Sequence, residues 1–215
     1  MPKFPEPPSV DALRVITPAV KTLSAGTCLA RIYYTTGAYP AAWNEFRFTG
    51  PVDARWDHHE EMAGDESPTS SLSRGILYAA LHIDTCVAEV FQRTRRIDRA
   101  RNAPWLAVFA LARPLQLLDL SEVFPTRVGA SMAINSGSHA RARRWAREFY
   151  LAYADLHGLY YGSSMHANAP AVAMNERSAK LGALPEYPLF NRALIDDGMS
   201  HVLKHCARRL GYALI

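Results

Sequence analysis

At 215 residues, 49% hydrophobic and 20% charged, the chain has the make-up of a globular protein with one sizeable core, which excludes collagen-like, coiled-coil and disordered classes. The net charge of +4 is modest, yet arginine supplies 20 of the 24 basic residues, a bias that fits bidentate grip on an anionic ligand and equally a GC-rich genome. No apolar run approaches the roughly 18 residues of a membrane span, and the opening Met1-Pro-Lys-Phe-Pro lacks a secretory signal, so a cytoplasmic location is expected.

Residues 1 to 9 hold four of the fourteen prolines and predict an extended, poorly ordered lead-in. With a short helix over 11–20, interrupted at Pro18, they form an N-terminal segment 1–25 ahead of a single domain over 26–215. Gly26 to Tyr34 has strand-forming residues around Arg31. Thr35 to Glu66 is rich in Gly and Pro and predicts a long loop of the kind usually kept for function. Inside it, Arg47 and Arg55 alternate with Phe46, Phe48 and Trp56. Guanidinium groups beside aromatic planes suit a nucleotide, with phosphates on Arg and a base on a ring; they suit a surface loop of stacked Arg–Trp pairs equally well. Asp57-His58-His59-Glu60 offers metal-binding side chains, but adjacent His residues diverge and the spacings His-x3-His and His-Glu-x-x-His are missing, so no metal is expected. Cys28, Cys86 and Cys206 fit neither a disulfide framework nor paired zinc ligands.

The short apolar run Ile76 to Leu81 follows Gly75 and reads as a buried strand, after which Asp84 caps a helix through Val87, Ala88, Val90 and Phe91. Glu89 sits in the middle of that helix, either on its one solvated stripe or held in a cleft for a purpose. The run Arg93, Arg95, Arg96, Arg99, Arg101 reads as a solvated helix end in preference to a nucleic-acid patch, since no recognition motif stands beside it. Trp105 to Leu111 and Leu115 to Leu120 read as strands parted at Pro114, and 121–137 as mostly loop. Ser138 to His157 is the clearest helix. Ser138 caps it, Gly158 ends it, Ala142, Trp145, Phe149, Ala152 and Leu156 form its core stripe, and Arg141, Arg143, Arg144 and Arg147 fall largely outside. Two short strands, 158–162 and 169–174, flank a Gly-Ser-Ser turn, and a last helix around 199–210 packs on the sheet. Gly162-Ser163-Ser164-Met165 is not the Gly-x-Ser-x-Gly elbow of hydrolases, which favours a hydrogen-bonding Ser163 over a nucleophile. No internal repeat or linker is present.

Taken in order, several of these segments resemble the RES domain family, named after an Arg, a Glu and a Ser. The resemblance runs from about Arg31 to Arg177. Arg31-Ile-Tyr is similar to the family's opening Arg-bearing strand, Ala54-Arg-Trp-Asp57 to its Gly-Arg-Phe/Trp motif, Ile76-Leu-Tyr-Ala79 to its Leu-Tyr-Leu-Ala strand, Ala88-Glu-Val90 to its Glu-bearing helix, and Tyr161-Gly-Ser163 to its Tyr-x-Ser. Ala54 stands where the family has Gly, and either Ser163 or Ser164 fits the serine.

The resemblance implies an α/β (α+β) fold, a single compact domain with a mixed, twisted sheet flanked by helices and similar to ADP-ribosyltransferases. It also implies NAD as substrate, cleaved by hydrolysis or phosphorolysis or used to modify a protein. Members are toxins held by a helix-turn-helix antitoxin, so NAD and such an antitoxin are the expected partners. A homo-oligomer is open, while membrane or direct nucleic-acid binding is not expected. The implied site places Glu89 on the ribose hydroxyls, Arg55 with Arg31 or Arg47 on the pyrophosphate, Tyr78 against nicotinamide or its ribose, and Ser163 or Ser164 as the hydrogen-bonding serine.

Overall fold

A computed structural model of the chain describes residues 4–60, 69–70 and 73–215. In chain order, α1 (Val10–Arg14) precedes β1 (Val20–Leu23) and β2 (Cys28–Tyr34), and β3 (Thr49–Gly50) pairs with β4 (Thr69–Ser70). Next, β5 (Ile76–Ala80) enters α2 (Ile83–Phe91), followed by β6 (Arg96–Ile97), β7 (Pro104–Ala110) and β8 (Leu115–Asp119). Then come α3 (Phe124–Arg127), a 3-10 turn (Met132–Asn135), α4 (His139–Ala152), β9 (Gly158–Gly162), β10 (Pro170–Asn175) and α5 (Glu176–Lys180). The chain closes with β11 (Phe190–Ala193), a second 3-10 turn (Asp197–Met199), α6 (Ser200–Leu210) and β12 (Ala213–Leu214).

Eight strands form one mixed sheet in the order β1-β8-β9-β10-β5-β2-β7-β11, antiparallel except for the parallel pair β8–β9. Alternation along β5 shows why this sheet has two cores. Ile76 and Ala80 join the layer that holds Val87 and Phe91 of α2 and Trp145 and Phe149 of α4, while Leu77 and Ala79 join Leu29, Trp43, Phe109 and Met174 on the other face. Fully burying a side chain such as Trp145 or Phe149 contributes on the order of 2 kcal/mol or more over leaving it exposed, so α4 is fixed by its apolar stripe. Among the described residues no helix is long and apolar enough to cross a membrane.

Several expectations need correction. The N-terminal lead-in packs into the domain: Phe4 is buried in the core, the Trp145 indole N–H donates to the Pro5 carbonyl at 2.9 Å, and β1 pairs with β8. Glu6 takes Arg144 at 2.6 and 2.7 Å and Arg141 at 3.0 Å, and these bonds, Arg144 first, pull its pKa down to about 2. Residues 1–3 of that lead-in, and 61–66 of the long loop, lie outside the described residues.

Helix α4 stops at Ala152, short of Gly158, which instead opens β9. There its φ is +147°, and a Cβ would stand 2.2 Å from the Ala173 carbonyl oxygen, so the glycine lets two strands approach. Asp84 does not cap α2; the cap is His82. Its carboxylate accepts the Cys206 thiol at 3.0 Å and pairs with Arg209 at 2.7 Å, which docks α6 on α2, in the core layer that also holds Ile32 and Leu106 of the sheet. The Arg93 to Arg101 run is also no simple helix end: the chain turns at Arg95 (φ +50°), and β6 pairs in parallel with β12. Arg99 donates to the carbonyls of Leu194, Ile195 and Asp196 at 2.9 to 3.2 Å.

Candidate active site

One cavity of about 780 Å³ collects side chains from distant parts of the chain: Arg31 from β2, Tyr78 from β5, Glu89 from α2, Arg47 and Arg55 from the loop before β5, and Ser164 after β9. The topology explains the convergence. Strands β5 and β9 both flank β10, β5 also bridges to β2, and α2 leaves the end of β5 to lie over the same strands.

Glu89 lies in the last turn of α2 and lines the cavity half-buried, which decides between the solvated stripe and the cleft. The Ser163 hydroxyl donates a short hydrogen bond to Glu89 Oε1. Among the described residues Oε2 has only the Gln92 amide at 3.5 Å, and that same amide is better placed on the Glu89 backbone carbonyl at 2.8 Å. The two serines differ in position: Ser163 is fully buried behind Glu89, whereas Ser164 is exposed on the cavity wall. Met165 N–H donates to Ser163 Oγ at 3.2 Å, which uses the hydroxyl as acceptor and leaves its proton for the carboxylate.

The two loop arginines differ in what they face. Arg47 pairs with Asp57 at 2.9 Å and also donates to the Thr49 carbonyl, so its charge is met inside the protein. Arg55 donates to two neutral carbonyls, Gly137 at 2.6 Å and Ile134 at 3.4 Å. Desolvation pushes its pKa down, and the negative charge of Glu89 opposes that. Arg31 donates to the Glu45 backbone carbonyl at 3.0 Å, and burial lowers its pKa to about 10. Tyr78 and Tyr161 are both pushed well above the ordinary phenol range, first by desolvation, then by Asp57 for Tyr78 and Glu89 for Tyr161. They stay neutral hydroxyls at any working pH.

The Asp57-His58-His59 stretch supports this wall from behind. Asp57, with no exposed surface, accepts from Val52 N at 2.7 Å, His59 N at 3.1 Å, His59 Nδ1 at 2.5 Å and Arg47 at 2.9 Å. Burial alone would raise its pKa, but His59, Arg47 and the two amides outweigh burial and hold it well below the carboxylate range. His58 stacks on Tyr150 with centroids 4.5 Å apart. Among the described residues no group of three or more His, Cys, Asp or Glu side chains is arranged to hold a metal ion.

Trp56, which the sequence offers as an aromatic plane beside Arg55, is 1% exposed and packs on Tyr161 of the Tyr-x-Ser motif at 5.4 Å. Sequence reasoning missed other wall residues. Asn135, His139 and Asp53 also line the cavity. At its mouth, Asp53 joins Arg93, His139 (3.1 Å) and Arg143 (3.5 Å), residues 40 or more positions away in sequence, so only the fold reveals the cluster. Arg93, Arg99, Arg141, Arg143 and Arg144 each hold a carboxylate or a backbone carbonyl of the domain.

A chain of the crystal structure of the M. tuberculosis MbcT-MbcA toxin–antitoxin complex has a similar fold, with a TM-score of 0.52 and 15% identity over 85% of this chain and 90% of that one. No curated protein sequence matches the chain. The family model of the RES domain matches residues 29–192, a span that runs from β2 through α2 and the serine turn to β11. The chain belongs to the RES domain family.

Proposed function

We propose that this protein cleaves the bond between nicotinamide and ribose in NAD, as the toxin half of a pair whose other half is an inhibitory antitoxin. The observation that carries the reading is Glu89: a half-buried carboxylate on the wall of a cavity of about 780 Å³, held by Ser163, with Arg55 nearby, hydrogen-bonded to the neutral carbonyls of Gly137 and Ile134 and within the field of Glu89. That volume falls within the roughly 300–1,000 Å³ of small-molecule sites. The toxin–antitoxin complex that shares the fold supports the paired role.

The chemistry asks little of a proton donor. Nicotinamide carries its positive charge while bonded and leaves neutral, so no strong acid is needed. The departing bond leaves positive charge on the ribose, and a fixed carboxylate stabilises that charge more than it stabilises the ground state. Ser163 pins one Glu89 oxygen and leaves Oε2 for the ribose hydroxyls. Arg55 and Arg31 take the pyrophosphate, with Arg47 held back by Asp57, and Tyr78 and Tyr161 supply aromatic walls. An incoming water, which gives up a proton to solvent, or a phosphate oxygen then bonds to the ribose carbon that nicotinamide has left.

The test is NAD consumption by purified protein with and without inorganic phosphate, beside Glu89→Gln. We expect turnover that falls by roughly 100-fold or more in the variant, the scale of losing one preorganised electrostatic group. The dependence on phosphate identifies the acceptor. Full turnover by a folded Glu89→Gln protein would sink the assignment.

A further inference from the structure

The turn that carries Ser163 is closed by its own backbone: Asn168 N donates to Ser163 O at 2.9 Å, Ala169 N to His166 O at 2.7 Å, and Ser163 N to Ala169 O at 2.9 Å. Ala167 and Asn168 sit in the left-handed region at φ +46° and +60°, a conformation that costs free energy for residues with a Cβ and persists only where surroundings fix it. Two side chains of α2 reach this turn. Thr85 and Glu89 are one helical turn apart and share a face; Glu89 takes the Ser163 hydroxyl, and Thr85 Oγ1 hydrogen-bonds His166 Nδ1 at 2.9 Å. Thr85 is fully buried.

We propose that Thr85 and His166 are positioning residues that seat the serine turn on α2 and so aim the Ser163 hydroxyl at Glu89. This rests on the reading that the Glu89 carboxylate acts on the ribose. Beyond its backbone anchors in β9 and β10, the Glu89 to Ser163 bond alone ties the turn to α2 at a single point. A second bond, three residues further along the turn, fixes its orientation as well as its distance. The seat matters because a shift of about 1 Å in a catalytic group costs up to roughly 100-fold in rate.

The experiment measures kcat and KM for NAD in wild type, Thr85→Val, Thr85→Ser, Ser163→Ala and the Thr85→Val/Ser163→Ala double variant, together with amide hydrogen exchange over residues 163–169. Thr85→Val keeps the shape and removes the hydroxyl; we expect kcat to fall roughly 3- to 10-fold, the scale of one neutral hydrogen bond, with KM nearly unchanged. Thr85→Ser, which retains the hydroxyl, should keep most of the rate. In the Ser163→Ala background, Thr85→Val should cost nothing further, because its effect runs through that serine. Exchange over 163–169 should quicken in Thr85→Val. Independent, multiplicative losses in the double variant would overturn the proposal, as would an unchanged kcat. If wild type cleaves no NAD, the functional reading fails separately, and exchange alone judges the seat: equal protection in wild type and Thr85→Val would refute it.

Discussion

Acid should loosen the wall that carries Arg55, and His58 sets how steeply. His58 is 4% exposed and stacked on Tyr150 at 4.5 Å, with its Nε2 4.0 Å from Glu176 Oε2. Burial first, then His59, Arg74 and Arg177, push its pKa from 6.5 down to about 3, while Asp57 only partly opposes them. The sign follows from proton counts. Below pH 6.5 the unfolded chain binds a proton at His58 that the folded chain refuses, so stability is fully present above 6.5 and drains as pH falls toward about 3. At ~1.4 kcal/mol per pH unit, the whole interval amounts to on the order of 5 kcal/mol, and about 2 kcal/mol should be gone by pH 5. Urea unfolding of wild type and His58→Phe at pH 7, 6 and 5 measures this. Phe keeps the stacking on Tyr150 and removes the titrating group, so its stability should fall less over that range by about 2 kcal/mol. Parallel pH dependences for the two proteins would refute the reasoning.

Two further substitutions probe the support of the site. Asp57→Asn removes the buried negative partner of Arg47 and His59 and should destabilise by roughly 3 kcal/mol or more, read as a lower urea midpoint at pH 7. Gly158→Ala places a methyl group 2.2 Å from the Ala173 carbonyl oxygen at a φ of +147°, and should cost at least about 2 kcal/mol or force β9 away from β10. An unchanged melting temperature for Gly158→Ala would mean that the strands part without penalty.

Much of the framework was legible because its signals are local. The continuous apolar run of β5, the apolar stripe of α4 with Ser138 as its cap, and the order of the motifs around Arg31, Arg55, Tyr78, Glu89 and Ser163 all lie within short windows. What escaped depends on partners far away. Val20–Leu23 is a strand only because β8 offers an edge, and Phe190–Ala193 only because β7 does. Asp84 has the chemistry of a helix cap, but α6 brings Cys206 and Arg209 to it from the end of the chain. Gly158 looks like a helix stop when only the preceding residues are read; its reason is the neighbouring β10 backbone.

The contrast between Arg47 and Arg55 bears on which charge the proposed site would keep available. Both stand in one loop, eight residues apart, beside aromatic residues, and by composition they are equal candidates for a phosphate. Asp57 faces Arg47 from a position with no solvent exposure and four hydrogen bonds, so releasing Arg47 to a ligand would strand a buried carboxylate. Among the described residues Arg55 donates its hydrogen bonds to backbone carbonyls, which orient a guanidinium without cancelling its charge. On the proposed reading, an anion entering the cavity meets Arg55 still cationic, while Arg47 and Asp57 back the loop.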